Sequence, residues 1–86
     1  MDFTKWKTKD NVYLDIENMT DLYIENCIRF CQNGLNHYNS LLPDYFEELP
    51  EPQNTYGWFG LYAREYIKVF KQELRKRKNK RRFNNE

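Results

Sequence analysis

One histidine (His37), one serine (Ser40) and two cysteines (Cys27 and Cys31) are all that 86 residues offer of the commonest catalytic side chains. Catalysis needs a nucleophile, a base or a metal held against a positioned partner, and neither cysteine has a base at a recognisable spacing. Cys27, Cys31 and His37 make a Cys-x3-Cys-x5-His pattern with no fourth ligand, so a core role for both thiols is the simpler reading. The glycines are few as well. Gly57 and Gly60 flank Trp58 and Phe59 without a following Lys-Ser/Thr, which excludes a phosphate-cradling loop of the known kind. The longest uncharged apolar run, Tyr56 to Ala63, is far shorter than the roughly 20 residues of a membrane span. The expectation is a non-enzyme with no catalytic residues, no metal, no cofactor and no membrane partner. It also lacks the apolar segment of a signal peptide, so a cytoplasmic protein with reduced thiols is expected.

What the sequence does have is aromatic bulk. Mean hydropathy is −1.03, yet two Trp, seven Tyr and six Phe are present. Each can bury roughly 150 to 250 Å², so a few large rings supply the core that aliphatic residues do not. A chain of this length supports one domain. Charge is divided unevenly: residues 1–70 carry six Lys/Arg against eleven Asp/Glu, a balance of −5, and residues 71–86 carry eight against two, a balance of +6. An acidic body at 1–74 and a basic extension at 75–86 are the expected organisation.

Local patterns predict an α+β fold, an N-terminal β-hairpin packed on two main helices joined by a short one. Thr4, Trp6 and Thr8, then Val12, Leu14 and Ile16, alternate with polar residues at the strand period. A three-residue turn Lys9-Asp10-Asn11, with Asn11 left-handed, sets Trp6 opposite Leu14 and Thr8 opposite Val12. Thr20 is the cap of the next helix, Asp21 suits its positive end, and Met19 and Ile24 form a hydrophobic staple. Ile24, Cys27, Ile28 and Cys31 make its apolar stripe, and Gly34 is expected just past its end, with Leu35 returning to Phe30. Pro43 starts a short helix through Leu49, which Pro50 and Pro52 end. A long last helix, capped by Thr55, carries Phe59, Ala63, Tyr66, Ile67, Phe70 and Leu74 on one face. Gly57 and Gly60 weaken its start.

Three features are candidates for function. Glu47, Glu48 and Glu51 form an acidic cluster without Asp-x-Asp spacing, for which a solvated face is the plainer reading. Tyr56, Trp58, Phe59, Tyr62 and Tyr66 read chiefly as core, with Tyr56 and Trp58 the ones expected to be exposed for stacking on bases or anchoring an interface. The basic run is the strongest signal. Lys71, Arg75, Lys76, Arg77, Lys78, Lys80, Arg81 and Arg82 are the footprint of polyanion binding. Cations placed favourably at the negative pole of a helix are the alternative.

The first third also resembles a group of small bacteriophage and mobile-element proteins. The shared pattern is Trp-x-Thr, an Asp-Gly turn, an alternating strand and a Met-Thr/Asp-Asp helix start. Trp6, Thr8, Asp10, Leu14, Ile16, Met19, Thr20, Asp21, Asn26 and Ile28 carry it, with Asn11 where glycine is usual and Tyr23 where histidine is common. The resemblance implies a phage-type accessory protein acting on host machinery, as anti-CRISPR proteins do. The function expected first is therefore an inhibitor of a host protein or ribonucleoprotein defence complex. A direct DNA- or RNA-binding protein is the second expectation, and a homo-oligomeric structural or assembly protein the third.

Overall fold

The structure, a computed structural model, describes residues 2–8, 10 and 12–84, with side chains through Lys80. Its elements are strands β1 (Lys5–Lys7) and β2 (Tyr13–Asp15), a 3-10 turn (Ile16–Asn18), and helices α1 (Asp21–Asn39), α2 (Asp44–Glu47), α3 (Tyr56–Trp58) and α4 (Arg64–Asn84). A π-helical segment, Phe59–Ala63, joins α3 to α4 into one long helix. This is the expected α+β arrangement.

The hairpin has the register that the alternation predicts. Trp6 pairs with Leu14 and Lys5 with Asp15 in an antiparallel sheet, and the Thr8 N–H donates to the Val12 carbonyl at 2.8 Å. The left-handed turn expected at Asn11 lies outside the described residues. At the start of α1 the Tyr23 N–H donates to Thr20 Oγ1 at 3.1 Å, and Met19 and Ile24 are both buried, as a capped and stapled helix requires.

The end of α1 differs from expectation. Gly34 does not stop the helix, which runs five residues further to Asn39. Glycine is required there by a neighbour: a Cβ on Gly34 would stand 1.8 Å from Phe59 Cε1, so the two main helices approach only because position 34 has no side chain. The closure falls instead at Leu41, whose φ is 57°. Leu41 and Leu42 donate their N–H groups to the carbonyls of Tyr38 and His37, each at 3.1 Å, which is the Schellman pattern with leucine at the left-handed position.

The last helix likewise begins earlier and more firmly than its glycines imply. Thr55 is extended, makes no side-chain cap, and accepts from the Trp58 N–H through its carbonyl at 2.9 Å. Gly60 lies against the Tyr38 ring, where a Cβ would come within 2.6 Å. Both Gly34 and Gly60 are therefore packing glycines on facing helices, and their helix-propensity cost is offset by the close approach they permit.

Trp6 is the hub of the core. Its ring meets Phe30, Trp58, Tyr66 and Phe70 edge-on, with centroids 5.0 to 6.1 Å apart. The Tyr66 hydroxyl donates to the Lys5 carbonyl at 2.9 Å and so fastens the helix to the strand that carries Trp6. Cys27 and Cys31 are free thiols inside this core. Burial pushes the Cys27 thiol up to about 12 and the Cys31 thiol higher still.

Candidate nucleic-acid interface

The basic run forms the exposed end of α4, and its cations fall into three groups according to the direction each faces. Helical geometry sets the groups, since each residue turns by about 100°. Lys71, Arg75 and Lys78 recur at intervals of four and three residues and share the face turned away from the core; all three are exposed. Lys76 and Lys80 point sideways and line a shallow groove with Glu17, Asn18 and Glu73. Arg77 points inward. None of these four exposed lysines and one arginine makes an ion pair with a carboxylate among the described residues. The side chains of Arg81 and Arg82 lie outside the described residues.

Arg77 is not part of a free basic end. Its Nη1 donates to Asp21 Oδ1 at 2.8 Å, its Nε to Glu73 Oε1 at 2.9 Å, and its Nη2 to the carbonyls of Ile16 and Glu17 at 3.2 and 3.0 Å. One guanidinium thus joins three segments: the 3-10 turn, the first turn of α1 and α4. The fork geometry of arginine is what permits this, because lysine offers one point charge where arginine offers five N–H donors. The side chain is 19% exposed. Hydrogen bonding by Asp21, followed by Glu73, holds its already high pKa higher still. The Glu73/Arg77 half of this clasp is legible as an i,i+4 pair in the sequence. Asp21 is 56 residues away, and no local pattern links it to Arg77. The clasp also ties the helix to the body three residues beyond the boundary expected at residue 74.

The two aromatics expected at the surface are placed otherwise. Trp58 is 3% exposed, packed between Trp6, Phe59 and Tyr66. Tyr56 is half-buried, with its ring against Tyr38 and Phe46 and its hydroxyl donating to the Tyr38 carbonyl at 3.0 Å. Trp58 offers no free face for stacking, and Tyr56 is engaged by these contacts within the chain. The reason is that the helix starts at Tyr56, before both glycines, so that both rings are carried on the helix into the core.

Asp44, Glu47, Glu48 and Glu51 are exposed around α2, on the acidic body. Among the described residues no three His, Cys, Asp or Glu side chains converge as metal ligands would. His37 stacks on Tyr45 with centroids 3.9 Å apart. No described helix is long and apolar enough to cross a membrane. Comparison of the chain with protein-family models, with curated proteins and with solved structures finds no match.

Proposed function

We propose that this protein is a non-catalytic binding protein of the host-cell cytoplasm that engages nucleic-acid phosphates through the exposed cations of α4. One observation carries the reading. Lys71, Arg75 and Lys78 stand together on an outward face with no carboxylate partner among the described residues, while Arg77 faces inward onto Asp21 and Glu73. Cations left without internal partners are free to displace the counterions condensed on a polyanion.

The test is fluorescence anisotropy of a labelled 20-base-pair duplex titrated with the full chain at several salt concentrations. Replacing Lys71, Arg75 and Lys78 together by Gln removes three phosphate contacts. The slope of log affinity against log salt should flatten by about 2.7, at about 0.9 per contact. Deletion of residues 75–86 is the wrong experiment, because it also removes the Arg77 clasp and damages the body. Unchanged affinity and slope in the triple variant would sink the proposal.

A second reading keeps the phage-type resemblance of residues 6–28 in the foreground. There the protein blocks a host nucleic-acid-handling complex, in the manner of anti-CRISPR proteins. The exposed carboxylates around α2 support it, since they are suited to a positively charged protein groove. Affinity purification of the full chain from host lysate, with sequencing of copurified nucleic acid, distinguishes a ribonucleoprotein partner from bare DNA or RNA. Self-assembly through α4 has less support, because Tyr66 and Phe70 on its apolar face are already buried within the same chain. Light scattering showing only monomer removes that option.

A further inference from the structure

Helical geometry continues the outward basic face backwards, past the basic run and onto the body. Arg64, Lys68, Lys71, Arg75 and Lys78 succeed one another at intervals of four and three residues, and at about 100° per residue all five fall within an arc of about 80°. Every one is exposed. At about 1.5 Å per residue the line they form is about 21 Å long. Only the last three belong to the segment that the sequence marks as basic. Arg64 and Lys68 lie in the part of the chain whose overall balance is acidic, which hides them in any count by segment.

The two carboxylates among the described residues of this helix do not interrupt the line. Glu65 stands beside it, 3.5 Å from Lys68, and both side chains are more than half exposed, so the pair is weak. Glu73 is turned inward onto Arg77. Each neighbouring pair along the line is therefore a like-charge pair at helical contact distance, costing about 0.2 to 0.5 kcal/mol. Apart from the weak Glu65–Lys68 pair, no ion pair among the described residues of this face offsets the repulsion; a bound polyanion would. The opposite face of the helix is fixed by Tyr66 and Phe70 in the core and by the Tyr66 hydroxyl on the Lys5 carbonyl. The cations are presented on a helix anchored to the body.

The surroundings also distinguish between kinds of nucleic acid. Single strands are held by aromatic side chains on which bases stack, in addition to charge. Here Trp58, Phe59, Tyr66 and Phe70 are all buried on the far side of the helix, and the line itself carries no aromatic residue. A duplex needs no such platform. It offers a rigid backbone with one charge per about 1.7 Å of axis, or about a dozen phosphates along the length of this line. We infer that α4 presents a continuous phosphate-binding stripe, from Arg64 to Lys78, that lies along the backbone of a duplex without reading its bases. This rests on the nucleic-acid reading above and deepens it.

The test uses two labelled probes, a 20-base-pair duplex and a 20-nucleotide oligothymidine, with anisotropy measured between 50 and 200 mM salt. The full chain is compared with two double variants, Arg64→Gln/Lys68→Gln and Arg75→Gln/Lys78→Gln, whose folding is checked by circular dichroism. Five contacts predict an affinity loss of about 500-fold across that salt range, and three contacts about 40-fold. The expected result is tighter binding of the duplex and the same flattening in both variants. If the Arg64/Lys68 variant matches the parent while the Arg75/Lys78 variant loses its slope, contact is confined to the helix end; the stripe is then wrong and the nucleic-acid reading survives. Tighter binding of oligothymidine overturns the duplex assignment. Binding of neither probe removes both proposals together.

Discussion

Arg75 and Arg77 are two residues apart on one helix and do opposite things. Arg77 faces inward, bonds two carboxylates and two carbonyls, and closes the junction between the hairpin and both long helices. Arg75 faces outward and meets no carboxylate among the described residues. Nothing about residue type separates them; a rotation of about 200° around the helix axis does. Charge counted along a sequence is therefore a poor guide to charge available at a surface. The inner face of α4 consumes its aromatic and charged groups in holding the fold, and the cations of the outer face take little part in it.

The largest effect should come from the inner face. Trp6→Ala removes the ring against which Phe30, Trp58, Tyr66 and Phe70 pack. A loss of about 3 to 5 kcal/mol is expected, which is enough to unfold a domain of this size. Thermal melting followed by circular dichroism measures it, and a cooperative transition near that of the parent would show that the hub is misassigned.

The comparison of the two arginines is sharpened by urea denaturation. Arg77→Ala leaves Asp21 and Glu73 without their shared donor and should cost about 1.5 to 3 kcal/mol, the range for hydrogen bonds to charged groups. Arg75→Ala should stay within about 0.5 kcal/mol of the parent. Equal effects would erase the distinction between the faces.

Alkali tests the inner face without mutation. Burial pushes the Cys27 thiol from 9.0 to about 12, and burial, with Cys31 nearby, pushes the Tyr66 hydroxyl from 10.0 to about 12. The native state then keeps protons that the unfolded chain gives up above pH about 9, so stability is constant below that value and falls as pH rises towards 12. The slope should reach about 1.4 kcal/mol per pH unit for each group that titrates only on unfolding. A flat urea midpoint from pH 8 to 11 would contradict the burial of these groups.

A smaller effect, a gain in stability, is expected at a position on neither face of the helix. Leu41 is 76% exposed and holds the left-handed position at the end of α1 with φ 57°. Leu41→Gly removes a strain of about 1 kcal/mol and should raise the melting temperature by several degrees. Binding by α4 should not change, which separates stability from function in the same assay.

Much of this architecture was legible in the residues themselves. The hairpin register followed from the alternation around Trp6 and Leu14, and the start of α1 from Thr20 and its staple, because those signals act between near neighbours. The errors share a different cause. Gly34 reads as a helix end by local rules, but Phe59, which needs the space, lies 25 positions away. Trp58 reads as exposed because glycines flank it, whereas tertiary packing overrides the propensity cost of both. Of the site, the basic run was plain from composition. The removal of Arg77 from it depends on Asp21, and the addition of Arg64 and Lys68 depends on helical phase, which a count of charges by segment averages away.

The division between the two faces is tested most directly by the salt dependence of duplex affinity in two single variants, Arg75→Gln and Arg77→Gln, measured where both remain folded. The account predicts that the slope flattens by about 0.9 in the first and is unchanged in the second. A slope that flattens in Arg77→Gln and not in Arg75→Gln, or equally in both, would contradict it.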